Sequence, residues 1–345
     1  MKKRPANTSQ RKGRRGSGSI TLHDVAKIAG VSAITASRVL NSPELVSAEA
    51  QERVREAIRR TGYTPNLIAG SLASSRSRLV AMIVPTVYSP MFSSMIETIS
   101  ATLGAAGYQV MIGLSGYVDS KEDQLLATVL SRKPDGIILT GVVHSQECRR
   151  QLLSANIPVV ETWDLTPTPI GLVVGFSHEK VGREMAKYMF ARGVRRPVIV
   201  TADDPRALLR SRGFSEAAAD LGIPEVPISS VPAPSIVGNG RTAFAELLRR
   251  NIPIDGVVCS SDVLALGVLQ EARARGLDVP GNLPVMGFGN QSYSAALEPA
   301  LTTVGVDGAL IGRRAAEFII GGLSGSPVTP LIEDVGFSIL KRTSA

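Results

Sequence analysis

The N-terminal fold of this chain is specified by residues 21–41, which read TLHDVAKIAGVSAITASRVLN. Thr21 and Asp24 have the spacing of a capping box, and apolar residues then recur at helical spacing. Gly30 can adopt the backbone angles of a tight turn, and Ser32 can cap a second helix. The pattern predicts a helix-turn-helix, followed by a third helix between residues 47 and 62.

The outward side of the predicted second helix carries short side chains and one cation. These residues are Ala33, Ile34, Thr35, Ser37 and Arg38. An arginine can form two hydrogen bonds with guanine, a small apolar group can contact the thymine methyl group, and hydroxyls can hold phosphates. This surface therefore suits the major groove of DNA.

Positive charge is concentrated at the N-terminus. The chain has 38 Lys and Arg residues, and seven of them lie within residues 1–19, which contain no acid. The remaining residues carry 31 basic against 30 acidic side chains, so the net charge of +8 comes almost entirely from this segment. We expect residues 1–19 to form a disordered basic arm that is attracted to a polyanion.

The composition excludes several classes of protein. A chain of 345 residues that is 44% hydrophobic can form two or three folding units with a sizeable core. No apolar run approaches the roughly 20 residues that span a bilayer, and no apolar segment follows the basic N-terminus as in a signal peptide, so we expect a cytoplasmic protein without a membrane partner. Cys148 and Cys259 lack the spacing of a disulfide framework or a zinc site; no metal or other cofactor is expected.

Beyond Arg78, short β-rich runs alternate with helical patterns. Such alternation is typical of the α/β class, in which parallel sheets are covered by helices on both faces. The units are too numerous for one compact sheet, so two are predicted. A ligand is expected in the cleft that faces the carboxyl ends of the strands.

Residues 21–41 resemble the head of the lactose-repressor (LacI/GalR) family, whose signature they match except at Ala36, where valine is usual. Residues 62–66, 135–139 and 301–304 resemble further segments of the same family. The resemblance covers nearly the whole chain. It implies a helix-turn-helix head, a hinge helix, and a periplasmic-binding-protein-like core of two Rossmann-like lobes with parallel sheets.

The resemblance also implies the division of the chain. After the arm, the DNA-binding domain would take residues 20–64, the hinge helix and linker 65–77, and the ligand-binding and dimerisation core 78–345. Within the core, the first lobe would take about 78–176 and 305–345, and the second about 177–304.

By the same resemblance, the second helix reads operator bases, Asn41 contacts a phosphate, and a hinge helix lies within residues 66–74. Leu72 would be the wedge inserted between base pairs from the minor groove, the alternative being an ordinary linker residue. The implied DNA-binding residues are Thr21, Ser32, Ala33, Ile34, Thr35, Ser37, Arg38, Asn41, Asn66 and Leu72.

Arg206 and Arg210 lie one helical turn apart, so both could point to a carboxylate in the cleft. Family members that bind neutral sugars have an asparagine where this chain has Ser261, before Asp262. They also have an acid next to the position of Asn290, and this chain lacks it. In both respects the chain is similar to the gluconate-utilisation repressors. Each arginine could instead be a solvated helix residue. The further candidate ligand contacts are Ser89, Phe92, Glu161, Asp164, Ser261, Asp262, Phe288 and Asn290, with lobe packing or an exposed turn as the alternative for Phe92, Glu161, Asp164 and Phe288.

Together these features predict a ligand-responsive transcriptional regulator that acts on a pseudo-palindromic operator as a homodimeric repressor, with a sugar acid such as gluconate or a ketogluconate as effector. A neutral sugar or a nucleoside is the alternative effector. An enzyme is not expected, because the chain lacks the phosphate-binding and nucleophile motifs and a metal-binding pair among His23, His144 and His178. A sugar-binding receptor would share the fold but not the DNA-binding head.

Overall fold

The computed structural model describes residues 20–64, 76–87, 92–117, 119–326 and 331–345. The chain forms two compact units, residues 1–75 and 76–345, which are described separately. Among the described residues, none of the helices combines the length and the apolar character needed to span a bilayer. The basic arm and three candidate site residues, Asn66, Leu72 and Ser89, lie outside the described residues.

The N-terminal unit contains the predicted helix-turn-helix. Its helices are α1 (Leu22–Ala29), α2 (Ala33–Asn41) and α3 (Ala48–Thr61). The Thr21–Asp24 capping box is complete, Gly30 has a φ of 65° at the end of α1, and Ser32 caps α2. The small core of this unit is formed by Val25, Ala26, Ala29, Ala36, Val39, Val54 and Ala57.

The larger unit contains two six-stranded sheets, which confirms the predicted α/β class. In chain order, the first lobe comprises β1 (Leu79–Val84), α4 (Ser93–Ala105), β2 (Gln109–Leu114), α5 (Asp119–Leu130), β3 (Gly136–Thr140), α6 (Gln146–Ser154), β4 (Val159–Thr162) and β5 (Leu172–Gly175). These strands pair in parallel, and their buried aliphatic side chains account for the apolar runs in the sequence.

The second lobe repeats this alternation. It comprises α7 (His178–Ala191), β6 (Pro197–Ala202), α8 (Pro205–Asp220), β7 (Ile228–Val231), α9 (Val237–Arg249), β8 (Gly256–Cys259), α10 (Asp262–Ala274), β9 (Val285–Phe288) and β10 (Thr302–Gly305). Helices α7 and α8 pack so closely that a Cβ atom on Gly182 would lie 2.0 Å from the carbonyl oxygen of Arg210. Glycine at this crossing allows the two backbones to meet.

The C-terminal segment is divided between the two lobes. Helix α11 (Gly308–Leu323) packs on α4, and β11 (Ile332–Asp334) pairs in parallel with β5, so both belong to the first lobe. Strand β12 (Ser338–Leu340) instead pairs antiparallel with β10, and the carbonyl of Ser344 accepts a hydrogen bond from the amide of Val285 in the second lobe. Assigning all of residues 305–345 to the first lobe was therefore wrong, because the chain crosses back after β11.

Candidate functional site

The outward surface of α2 combines an exposed apolar residue with polar groups. Ile34 is 66% exposed, and the exposed side chain of Arg38 has no hydrogen bond or ion pair to any described residue. An isoleucine and an unpaired guanidinium on one helix face are available for a partner surface. Ala33 is half-buried beside them and packs against the core of the head.

The other candidate residues of the head take part in local hydrogen bonds. The hydroxyl of Ser32 accepts from the amide of Thr35 and lies 2.9 Å from its hydroxyl. The side-chain amide of Asn41 donates to the carbonyl oxygen of Ser37 at 3.1 Å, and Thr21 completes the capping box of α1. These bonds fix the geometry of the helix ends, and Thr21, Ser32 and Asn41 are exposed.

In the larger unit, a cavity lies between the carboxyl ends of the strands of the two lobes. It is lined by Phe92, Tyr117, Trp163, His178, Asp204, Arg206, Arg210, Ala233, Pro234, Ser235, Ser260, Ser261 and Val263. An adjoining cavity shares Tyr117 and Arg206 and adds Glu122, Thr140 and Asp164. The two cavities together are called the cleft below. Phe92, Asp164, Arg206, Arg210 and Ser261 therefore lie where the sequence placed a ligand.

Arg206 is a cation of the cleft with unused hydrogen-bonding capacity. It lies in the first turn of α8, whose N-terminus is capped by the Asp204 side chain. Its Cζ atom lies 5.5 Å from the centre of the Phe92 ring, and its buried Nη1 atom has no hydrogen-bond partner among the described residues. A buried donor without a partner costs about 1–3 kcal/mol, which a bound acceptor would recover.

Arg210, one turn further along α8, is held by the protein itself. Its Nη1 donates to Nδ1 of His178 at 2.8 Å, and its Nη2 donates to the carbonyl oxygen of Ser260 at 2.9 Å. Its Cζ lies 4.0 Å from the centre of the Phe288 ring. Burial lowers the pKa of Arg210 to about 10, so the guanidinium stays protonated at neutral pH. Arg210 therefore contributes charge to the cleft, and its buried Nε has no hydrogen-bond partner among the described residues.

His178 is a neutral link between the lobes. It is the first residue of α7, it is buried, and its Nε2 lies 2.8 Å from the carbonyl oxygen of Trp163. Burial, reinforced by the charges of Arg210 and Arg206, holds the pKa of His178 well below 6.5. Because Nδ1 accepts from Arg210, the bonds assign the proton to Nε2, which donates to Trp163.

Acidic groups also face this part of the cleft. Asp164 is buried, and its Oδ1 accepts from the amide of Leu165 at 2.8 Å. Burial raises the pKa of Asp164, although that hydrogen bond and the charges of Arg206 and Arg210 oppose the rise. The cleft thus offers a carboxyl group beside the unpartnered arginine.

The structure gives two predicted ligand acids other roles. Asp262 is fully buried, and its oxygens accept from the Thr303 hydroxyl, the Ser294 hydroxyl and the Gln291 amide. The Oε2 atom of Glu161 accepts from the amide of Ile170. Neither acid lines the cleft. They were wrongly grouped with the ligand contacts, because strand-end acids can also turn inward to bind the backbone and hydroxyls of neighbouring loops.

Phe288 and Asn290 also lie elsewhere. Phe288 is buried beneath Arg210, and the Oδ1 atom of Asn290 accepts from Nη2 of Arg342 at 2.7 Å. Both line a separate open groove with Glu97 and Asp307. Phe288 therefore supports the cleft from behind, and Asn290 anchors the last residues of the chain.

Several cleft residues were not among the predicted contacts. Tyr117 follows β2, Asp204 caps α8, and Ser235 follows β7. The Asp204–Pro205 pair is a recognisable helix start, since aspartate is favoured at the N-cap and proline at the first helical position. Tyr117 and Ser235 carry no comparable local signal and become visible only when the strand ends are brought together.

Comparisons with known proteins agree with this architecture. The family model described as bacterial regulatory proteins, lacI family, matches residues 21–66, and that of the periplasmic binding protein-like domain matches residues 186–344. The HTH-type transcriptional regulator GntR of Pseudomonas aeruginosa is 37% identical over 98% of this chain and 99% of its own length.

Solved structures give the same result. A LacI family regulator from Silicibacter pomeroyi matches with a TM-score of 0.88 and 34% identity over 94% of this chain and 99% of its own. The lac repressor dimer bound to operator and the anti-inducer ONPF, at 23% identity, shares the fold, with a TM-score of 0.82 over 94% of this chain and 99% of its own. The family resemblance inferred from the sequence is thereby confirmed. The chain belongs to the bacterial LacI family of DNA-binding transcriptional regulators, which are not enzymes.

Proposed function

We propose that the protein is a cytoplasmic, homodimeric repressor of genes for sugar-acid uptake and catabolism, whose effector is a sugar acid such as gluconate or a ketogluconate. The effector binds in the cleft and changes the affinity of the two heads for a pseudo-palindromic operator. The similar regulators named GntR and the operator-bound dimer of the same fold support this proposal.

The buried, unpartnered Nη1 of Arg206 carries the sugar-acid part of the proposal. A carboxylate at this position would receive a charge-assisted hydrogen bond and would be attracted by the charge of Arg210 behind it. A neutral sugar could accept a hydrogen bond here but would leave the positive charge uncompensated. The preference for an anion therefore follows from the state of Arg206 and not from the number of arginines.

Other cleft residues suit the remainder of a sugar acid. Asp164, Tyr117 and Ser261 offer polar groups for hydroxyls, and the hydroxyl of Thr140 is buried without a hydrogen-bond partner among the described residues. The rings of Phe92 and Trp163, 5.3 Å apart, offer an apolar wall for the carbon skeleton. A few directed polar groups on an apolar wall are typical of small-molecule sites.

On the DNA side, the exposed face of α2 is proposed to enter the major groove of each half-site. Arg38 and Ile34 would contact bases, and Asn41 a phosphate. Asn66 and Leu72, which lie outside the described residues, are proposed to act at the hinge. The coupling between effector and operator is expected to be about 1–3 kcal/mol, as is usual for allosteric proteins.

A thermal-shift screen of the full-length protein tests the effector. Gluconate, 2-ketogluconate, 5-ketogluconate and 6-phosphogluconate form one arm, and glucose, ribose and adenosine form the other. A ligand at about 100 times its Kd stabilises the folded state by about 2.7 kcal/mol, which gives a measurable rise in Tm. A rise with sugar acids supports the proposal, whereas a rise with neutral compounds alone contradicts it.

Two arginine variants on α8 test the site. Arg206→Ala is expected to abolish the shift given by the acid. Arg212→Ala is the matched control, because Arg212 lies on the exposed side of the same helix and pairs with Glu179. If both variants respond to the acid like the original protein, Arg206 does not bind the carboxylate.

A further inference from the structure

Four side chains with metal-binding or hydrogen-bonding groups meet at the first-lobe edge of the cleft. Glu122 lies on α5, His144 precedes α6, Cys148 lies on α6, and Glu161 lies on β4. The His144 side chain is 3% exposed, and Glu161 and Cys148 are fully buried. The sequence suggested no metal site, because Cys148 and Cys259 have no metal-site spacing and no pair of histidines has one.

Three of these residues have the geometry of a ligand set. One ligand atom from each of Glu122, His144 and Cys148 lies within 4.8 Å of the other two. Nδ1 of His144 is 3.2 Å from Oε1 of Glu122. Two ligands of a tetrahedral ion with bonds of about 2.0 Å are about 3.3 Å apart, so this separation needs little adjustment.

Glu161 provides an independent observation at the other ring nitrogen. Its Oε2 is fixed by the amide of Ile170, while its Oε1 lies 3.4 Å from Nε2 of His144. Both facing atoms are buried, and neither has a hydrogen-bond partner among the described residues. A histidine that binds a metal commonly directs its other nitrogen at a carboxylate, which fixes the orientation of the ring.

We propose that the protein binds one Zn²⁺ per chain through Oε1 of Glu122, Nδ1 of His144 and Sγ of Cys148, with Glu161 as the positioning residue for His144. A thiolate, an imidazole and a carboxylate suit zinc, whereas Mg²⁺ and Ca²⁺ select oxygen ligands. Glu122 lines the cleft, so the ion is reached from the cleft and its fourth position is left for water or another small ligand.

The competing arrangement is an ion-pair network without a metal, in which a protonated His144 lies between two carboxylates. Burial lowers the pKa of His144, but the neighbouring Cys148, Glu122 and Glu161 side chains together raise it to about 11. The two arrangements differ in metal binding, since the sulfur of Cys148 is a metal ligand in one and only a neighbour of the protonated imidazole in the other.

Zinc titration of the untagged, chelator-treated full-length protein distinguishes them. We expect one Zn²⁺ per chain with a Kd below about 1 μM, measured against a chromophoric chelator and by elemental analysis. Cys148→Ser is expected to weaken binding at least 100-fold, and Glu161→Gln about 10–100-fold. Cys259→Ser is the matched control, because Cys259 is equally buried but lies on β8 of the other lobe.

Cobalt provides a second readout. Co²⁺ should produce thiolate-to-metal charge-transfer absorption in the original protein and in Cys259→Ser, but not in Cys148→Ser. If Cys148→Ser does not fold, Glu122→Gln replaces it in the zinc titration, because this side chain is partly exposed on a helix and its loss should also weaken binding at least 100-fold. The absence of stoichiometric zinc, or zinc binding unchanged in the ligand variants, would overturn the proposal.

Discussion

Lowering the pH from 7.5 to 5.5 is expected to destabilise the two-lobed unit by about 1.4 kcal/mol through His178 alone. The folded protein holds the pKa of His178 well below 6.5, mainly by burial and also by the charges of Arg210 and Arg206. The unfolded chain has no such environment. As the pH falls through 6.5, the unfolded state therefore binds a proton that the folded state does not bind, and the unfolding free energy decreases.

The size of this effect follows from proton linkage. A site that titrates at 6.5 in the unfolded chain and remains neutral in the folded chain changes the unfolding free energy by about 1.4 kcal/mol for each pH unit below 6.5. Above 7.5 the contribution is close to zero. The slope does not depend on how far the folded pKa is lowered, provided that it stays below the pH range of the experiment.

The chain contains a suitable reporter for this measurement. Trp163 is its only tryptophan, it is buried, and its carbonyl oxygen bonds to His178. Urea unfolding followed by Trp163 fluorescence would be measured at several pH values for the original protein and for His178→Gln. A glutamine can keep both hydrogen bonds without titrating. We therefore expect the unfolding free energy of the original protein to fall, relative to that of His178→Gln, as the pH decreases.

The difference between variants removes the contributions of other groups. Burial raises the pKa values of Asp164 and Asp262, and a raised acid pKa stabilises the folded state as the pH falls, which opposes the effect of His178. His23→Gln is the control, since His23 is exposed on α1. Parallel pH profiles for the original protein and His178→Gln would refute the assignment of a neutral, buried His178.

Three further predictions concern packing, buried polar groups and DNA. Gly182→Ala should reduce the unfolding free energy by about 1–3 kcal/mol or more, because the new Cβ would lie 2.0 Å from a carbonyl oxygen. In the control Gly104→Ala on α4, the new Cβ meets no atom within 4 Å, so this variant should be more stable by about 0.5–1 kcal/mol. Equal urea midpoints for the two variants would contradict this. Asp262→Ala should cost about 3 kcal/mol or more in urea unfolding, because three buried donors lose their acceptor, and a loss below about 1 kcal/mol would be inconsistent with that network. Arg38→Ala should weaken specific operator binding by about 1–3 kcal/mol in a gel-shift or fluorescence-anisotropy assay and leave effector binding intact, while Arg206→Ala should do the reverse; loss of the same function in both variants would contradict this division.

Local sequence was sufficient where a structure depends on neighbouring residues. The Thr21–Asp24 capping box and the Ser32 cap join residues three apart, and α1 and α2 begin where these signals predict. The alternation of buried strands with helices likewise indicated two parallel sheets, because strands covered on both faces are continuously apolar. The family resemblance depended on the same local segments.

Several elements of the larger unit carry only weak local signals in the sequence. Strand β7 is only partly buried and contains two serines, and β12 has three residues. Helix α6 is mostly polar, so it has only a narrow apolar side. The position of β12 is determined by its pairing with β10, some forty residues earlier in the chain, and no local pattern specifies that return to the second sheet.

Only the tertiary structure determined which polar side chains face the cleft and which support it. Arg206 and Arg210 are the same residue type one turn apart on α8, yet His178 and Ser260 hold Arg210, while Nη1 of Arg206 has no described partner. The sequence placed Asp262 among the ligand contacts, but its carboxylate accepts a hydrogen bond from the hydroxyl of Thr303, 41 residues away. Sequence alone determined the helix-turn-helix, the alternation of strands and helices and the family, because these depend on near neighbours and on recurrent segments. The free or occupied state of each polar group depends on partners from distant segments, which only the folded chain brings together.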